Sequence, residues 1–124
     1  MAPPRVVLDA NVLFPGSLRD TLLRAAEHKL LNVYWTTEIL EETRRNLVAK
    51  GEMTEAQAQR LLSAINVAFP DANVTSNYQR HIPLLTNDPK DRHVLAAAIE
   101  INADIIITFN IRDFPATALQ PFAI

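Results

Sequence analysis

Four acidic side chains, far apart in the sequence, are the best candidates for chemistry in this chain: Asp9, Glu42, Asp91 and Asp113. The sequence contains no cysteine, and none of its three histidines has a spacing typical of metal ligands. A site built from carboxylate oxygens favours Mg²⁺ or Mn²⁺ over zinc. Such ions commonly serve phosphodiester hydrolysis, in which they activate a water molecule and stabilise the charge on the phosphate and the leaving oxygen.

The elements that must position these acids are short apolar strands that alternate with longer amphipathic helices. Strands are predicted at 6–8, 31–35, 72–75 and 105–108, and helices at 18–29, 37–50, 55–69 and 89–102. This alternation predicts a parallel sheet with helices on both faces. The chain, residues 1–124, is long enough for one such domain and too short for two.

The carboxyl edge of this sheet is where the four acids are expected to meet, because ligands bind at that edge in parallel sheets. Asp9 and Asp113 follow the first and last predicted strands. Glu42 and Asp91 lie in the first two turns of their helices, which right-handed crossovers bring to the same edge. Each acid also has a structural alternative.

Asp9 is the firmest of the four candidates. Aspartate is depleted in strands, and a carboxylate at the end of a buried strand is costly without a cation. Its alternative role is a hydrogen-bonded turn with Asn11. Asp113 could equally be a turn residue. Asn110 could assist a ligand or orient a water molecule, and Asn11 and Thr108 are expected to support the site.

Helical phase gives a finer argument, since each residue turns a helix by about 100°. Asp91 points along the apolar face that Val94 and Leu95 define, but an acid in the first turn also caps a helix and interacts favourably with its dipole. The phase alone does not separate these two roles. His93 points to the opposite face, which predicts a solvent-exposed or substrate-facing side chain.

Among the acids of the preceding helix, phase favours Glu42. It borders the apolar stripe, whereas Glu38 and Glu41 point further away, as solvated acids of a first turn do. A local pair between Glu42 and Arg45 or Asn46 is the alternative.

The overall charge limits the classes of partner. A net charge of −2 is not typical of a protein that coats DNA, although a bound cation reverses the field of an acidic site. Three basic side chains are weak candidates for substrate contacts, with a solvated helix face as the alternative: Arg44, Arg45 and Arg92. No apolar run approaches the ~18 residues of a membrane helix and no secretory signal is evident, which predicts a cytoplasmic protein.

Four segments resemble, in order, the motifs of PIN-domain ribonucleases, and in particular those of the VapC-like toxin branch. They are an apolar strand that ends in Asp-x-Asn, one acid on each of two helices, and an Asn and an Asp after the last strand. In this chain they lie at 7–13, 35–47, 87–98 and 105–115. No single motif is specific, but the four together in this order are.

The resemblance implies a three-layer α/β/α sandwich around a parallel sheet of four to five strands, a homodimer, and Mg²⁺- or Mn²⁺-dependent cleavage of RNA. For toxin members it also implies a cognate antitoxin. Carried over by motif, the catalytic and metal-binding residues would be Asp9, Glu42, Asp91 and Asp113, although Asn110 stands where many members have an acid. Members of this branch usually continue further, so residues 1–124 are expected to lack the usual C-terminal tail.

Two other functions remain open at this point. Asp9 could be the nucleophile of a phosphoryl-transfer enzyme similar to the haloacid-dehalogenase-like phosphatases. Asn11 then stands where those enzymes have a second aspartate as general acid. Alternatively, the domain is a non-catalytic module that binds nucleic acid or protein, in which the acids are only caps and ion-pair partners.

Overall fold

The computed structural model describes residues 2–124, which fold around a three-stranded parallel sheet. The strands are β1 (Arg5–Leu8), β2 (Asn32–Tyr34) and β3 (Ile105–Ile107), in the spatial order β2-β1-β3. Val6 of the central strand pairs with Val33 on one side and Ile105 on the other. The apolar residues of β1 are buried from Val6 to Leu8. The central strand therefore delivers the next residue, Asp9, to the middle of the carboxyl edge.

The expected sheet of four to five strands is wrong, because the sheet formed within residues 2–124 has three. The strand predicted at 72–75 is reduced to one parallel bridge between Trp35 and Asn73. The Trp35 N–H donates to the Ala72 carbonyl at 3.0 Å, and the Val74 N–H donates to the Trp35 carbonyl at 2.8 Å. Ala72 also closes a turn, in which its N–H donates to the Phe69 carbonyl at 3.1 Å, so the start of the predicted strand is not extended.

Residues 2–124 contain six α-helices, of which the first five connect the strands and the sixth follows β3. They are α1 (Ala10–Leu13), α2 (Gly16–Glu27), α3 (Thr37–Ala49), α4 (Glu55–Ala68), α5 (Arg92–Glu100) and α6 (Ala116–Leu119). Thr36 caps α3 through a hydrogen bond from the Ile39 N–H, and Thr54 forms a reciprocal capping box with Gln57 on α4. The short helix α1, which begins directly after Asp9, was not predicted from the sequence.

The order of connections determines which helices cover each face of the sheet. The chain passes from β1 to β2 through α2, and on to the Trp35–Asn73 bridge through α3 and α4. It then returns across the sheet to β3 through α5. Right-handed crossovers place α2, α3 and α4 on one face and α5 on the other. The N-termini of α3 and α5 thus approach the edge where β1 ends.

The exposed position expected for His93 is wrong, because this side chain is buried, with 8% of its surface exposed. The segment Tyr78–Leu84 is a 3₁₀ helix that packs against α5, so that the face of α5 away from the sheet is also covered. The His93 Nδ1 lies 3.8 Å from Oε1 of Glu38, the oxygen that also accepts from the Tyr78 hydroxyl.

None of the helices within residues 2–124 is long and apolar enough to cross a membrane.

The two glycines provide a matched test of the backbone conformation. Gly51 ends α3 with a φ of +72°, where a side chain is strained although a Cβ would meet open space. Gly16 begins α2, and a Cβ there would make only an ordinary contact at 3.5 Å with Arg19. We expect Gly51→Ala to lower the free energy of unfolding by about 1–2 kcal/mol. Gly16→Ala should leave it unchanged or raise it by up to about 1 kcal/mol.

Chemical denaturation of both variants measures this difference. Equal effects of the two substitutions would contradict the left-handed turn at Gly51.

Candidate active site

Asp9 lies at the end of the central strand with only 1% of its surface exposed. It is the N-cap of α1, and its Oδ1 accepts a hydrogen bond from the Ala10 N–H at 2.7 Å. Its Oδ2 accepts from the Thr108 hydroxyl at 2.8 Å. The carboxylate therefore has a capping role, and both of its oxygens are held in a fixed orientation.

The Thr108 hydroxyl joins Asp9 to a wider set of hydrogen bonds. Because it donates its only proton to Asp9, it accepts from the Asn11 side-chain amide at 3.2 Å and from the Asn110 N–H at 3.0 Å. The Asn11 Oδ1 in turn accepts from the Phe109 N–H at 3.1 Å. These bonds tie the segment after β1 to the segment after β3. Of the three supporting residues expected from the sequence, Thr108 contacts Asp9 directly and Asn11 contacts Thr108 through its side chain, whereas Asn110 contacts Thr108 only through its backbone N–H.

Asp91 does not have the capping role that the sequence left open. It is the last residue of a 3₁₀ turn, Pro89–Asp91, and its side chain makes no capping bond to α5. Asp88 caps that turn instead, through a hydrogen bond from the Lys90 N–H to its Oδ1 at 3.1 Å. Asp91 is 4% exposed, and its Oδ2 is a buried oxygen without a hydrogen-bond partner among residues 2–124. Such an oxygen is costly unless something else binds it.

The other three candidate acids all influence the protonation of Asp91. Burial raises the pKa of Asp91 to about 7, and a hydrogen bond with the Asp113 side chain adds to the shift. The negative charges of Asp9, Asp113 and Glu42 raise this pKa further. In the metal-free site, burial and the neighbouring negative charges therefore favour the protonated form of Asp91.

Asp113 reaches this cluster through two loops that are hydrogen-bonded to each other. It ends the 3₁₀ turn Ile111–Asp113, and its carbonyl accepts from the Asp88 N–H at 3.2 Å. Its Oδ2 lies 3.5 Å from Nζ of Lys90. Since the Asp113 side chain raises the pKa of Asp91, this electrostatic coupling favours Asp113 over Asn110, whose side chain is exposed, as the fourth donor.

The acids of α3 differ in their partners. Glu41 forms an ion pair with Arg44, which also binds Glu55 of α4 at 2.6 Å. Glu38 accepts from the Tyr78 hydroxyl at 3.2 Å. Glu42 is half-buried, and its charge acts on Asp91. Among these acids, Glu42 is therefore the one placed to join the site.

The basic side chains proposed for substrate contacts are only partly available. The Arg44 guanidinium is engaged by Glu41 and Glu55, so it links α3 to α4. The Arg92 Nε donates to the Asn87 carbonyl at 2.8 Å. Arg45 is exposed on α3.

Asn87 is a residue of this region that sequence reasoning missed. It is 1% exposed, and neither polar atom of its side-chain amide has a hydrogen-bond partner in the described part of the chain. An asparagine within a polar, proline-interrupted stretch carries no sequence signal of burial.

The donor set fits a divalent cation, although across residues 2–124 no three acidic or histidine side chains converge closely enough to hold one where they lie. All four candidate donors are carboxylates, the ligand type that Mg²⁺ and Mn²⁺ prefer. The unpaired Asp91 Oδ2 and the mutual repulsion of the acids are both relieved by positive charge.

This repulsion predicts that Asp91→Asn stabilises the metal-free protein. Because the folded state holds the Asp91 proton up to a pH of about 7, the wild type should lose stability as the pH rises from about 4 to 7. The variant should lose less, and at pH 8 it should be more stable by on the order of 1–2 kcal/mol.

Urea denaturation in EDTA at pH 5 and pH 8 measures the effect, with Asp20→Asn on the exposed side of α2 as the control. A difference between variant and wild type that is the same at both pH values would count against the buried carboxyl cluster.

Comparison with known proteins identifies the family. The sequence model of the PIN domain matches residues 5–112. VapC50 of Mycobacterium tuberculosis (strain ATCC 25618 / H37Rv), which is described as a putative ribonuclease, is 47% identical over 65 residues. That match covers 50% of this chain and 38% of the relative, so the chain corresponds to well under half of that protein's length.

The fold is also that of a solved structure. The crystal structure of VapBC2 from Rickettsia felis, bound to a DNA fragment from its promoter, superposes with a TM-score of 0.61 at 17% identity. The superposition covers 89% of this chain and 90% of that one, and at this identity it shows a shared fold. Since the family model matches far more than half of the sequence, the chain belongs to the PIN domain family.

Proposed function

We propose that this chain is a divalent-metal-dependent endoribonuclease that hydrolyses the phosphodiester bonds of RNA, as the toxin of a type II toxin–antitoxin pair. The observation that carries the proposal is the Asp91 carboxyl group, buried with an unpaired oxygen and subject to the charges of three further acids. The similarity to VapC50 supports the same reaction class.

The protein's own groups prepare the site for substrate and cation. Asp9, Glu42, Asp91 and Asp113 would hold Mg²⁺ or Mn²⁺, which when bound activates water and stabilises the charge that develops on the phosphate. The hydrogen bonds from Ala10 and Thr108 fix the Asp9 carboxylate, so that it needs little reorganisation. Attack by water with departure of the 3′ oxygen would leave a 5′-phosphate on the product.

The partners follow from the same proposal. An antitoxin is proposed because the Rickettsia felis structure is that of a VapBC2 complex. A homodimer is proposed on the resemblance to the VapC-like branch. RNA as the substrate would place the enzyme in the cytoplasm.

The first test of the proposed function is Asp9→Asn. We expect this variant to lose cleavage of single-stranded RNA by ~100-fold or more, because it removes a charged donor at the centre of the site. The matched control is Asp71→Asn, an exposed aspartate that follows α4. Gel analysis of an end-labelled RNA measures cleavage, and mass spectrometry identifies the 5′-phosphate.

Two outcomes would contradict the proposed function. One is cleavage by the wild type in EDTA, and the other is full activity of Asp9→Asn. A folded wild type that shows no heat of Mn²⁺ binding would instead support the non-catalytic module, and a phosphorylated Asp9 would support a phosphatase-like enzyme.

A second test addresses the hydrogen bond that holds Asp9 in place. Thr108→Val keeps the shape of the side chain but removes the hydroxyl that donates to Asp9 and accepts from Asn11. We expect Mn²⁺ affinity to fall about 10- to 100-fold, the range for groups that orient metal ligands. Calorimetric titration with Mn²⁺ measures the change, and the exposed Thr75→Val is the control. Unchanged affinity would show that metal binding by Asp9 does not depend on the Thr108 hydrogen bond.

A further inference from the structure

Two large apolar side chains are exposed at the rim of the acid cluster. Phe109 is 65% exposed and Ile111 is 75% exposed, and both lie between Thr108 and Asp113. Neither contributes to the core, although folding usually buries side chains of this size. Their position beside the candidate active site calls for a functional explanation.

The surface around Phe109 combines an aromatic ring with charge of both signs. A cavity of about 330 Å³ is lined by Lys90, Phe109, Asn110, Ile111, Arg112 and Asp113. Lys90 is 68% exposed and Arg112 is exposed, so both cations are accessible to solvent. The cavity also contains a carboxylate of the acid cluster, Asp113, and is therefore continuous with the site already described.

The backbone of Phe109 is held by the groups that hold the acids. Its N–H donates to Asn11 Oδ1 at 3.1 Å, and the next residue, Asn110, donates its N–H to Thr108 Oγ1 at 3.0 Å. Thr108 itself donates to Asp9. The segment is thus fixed relative to Asp9, so that Phe109 is suited to position a substrate group at the site.

We propose that Phe109 is a base-stacking platform for the nucleotide next to the scissile phosphate of single-stranded RNA, with Lys90 and Arg112 contacting the adjacent phosphates. This inference rests on the proposed function and specifies which part of the substrate the site would bind. An exposed aromatic ring next to cations binds unpaired bases of any sequence, because every base has a π face.

A protein partner is the other class of occupant for exposed apolar residues. A separate apolar cavity of about 260 Å³ lies on the other side of Ile111, lined in part by Ile105, Ile106 and Leu119. Phe109 does not line that cavity. It shares its own cavity with three charged side chains, which favours a polyanion with bases over an apolar protein surface.

The test compares Phe109→Ala with Phe109→Trp in cleavage of a single-stranded RNA under Mn²⁺. We expect Phe109→Ala to raise KM by roughly 5- to 100-fold with a smaller change in kcat, and Phe109→Trp to retain KM within about twofold. An RNA with one abasic nucleotide beside the cleavage site should bind the wild type as weakly as the intact RNA binds Phe109→Ala. Leu30→Ala is the matched control, because Leu30 is 67% exposed and precedes β2 at the opposite edge of the sheet.

A binding measurement separates this proposal from the proposed function. Fluorescence anisotropy of the same RNA in EDTA and low salt reports binding without cleavage. The stacking role is supported, even if no cleavage is found, when the wild type binds the RNA, Phe109→Ala binds it more weakly and Leu30→Ala binds it as the wild type does. Equal binding by wild type and Phe109→Ala, or no binding by the wild type, overturns the proposal. A lower solution mass of Phe109→Ala in light scattering would also overturn it, since the ring would then belong to an interface between copies of the chain.

Discussion

The burial of a carboxylate at the end of the central strand is the constraint on which the rest of the site depends. Asp9 is surrounded by the core residues of β1 and α1, where an unsatisfied charge would be costly. The Ala10 N–H and the Thr108 hydroxyl satisfy it. The Thr108 bond is possible only because β3 pairs with β1 in a register that brings Ile107 beside Leu8. A shift of this register by one residue would leave Asp9 without this donor.

Asp9 and Asp91 show opposite ways of burying an acid. Hydrogen bonds to backbone and hydroxyl groups stabilise Asp9, whereas Asp91 is buried with one unpaired oxygen and a raised pKa. The second arrangement destabilises the metal-free fold, and functional sites are where proteins retain such groups. Other ion pairs lie away from this cluster and link parts of the fold, namely those of Arg44 with Glu41 and Glu55 and that of Glu100 with Arg80.

The surroundings of the acid cluster differ on its two sides. On the α3 side, Arg44 is engaged by Glu41 and Glu55, whereas Arg45 is exposed. On the β3 side, Arg112 and Lys90 are exposed beside an aromatic ring, and Lys90 also lies 3.5 Å from the Asp113 carboxylate. Exposed cations therefore lie on both sides of the cluster, and the exposed ring of Phe109 distinguishes the β3 side.

The sequence by itself determined where the three strands and the four longer helices lie and that the chain carries the motifs of the PIN domain family, because these depend on local patterns and on motifs that are contiguous in the chain. It did not determine the number of strands, the burial of His93, or the absence of a capping bond from Asp91. Only the tertiary structure decided which donor reaches Asp9, how Asp113 meets Asp91 and that Asn87 is enclosed without a partner. Each of these depends on contacts between segments distant in sequence, and local periodicity carries no information about which distant residues will share a low-dielectric space.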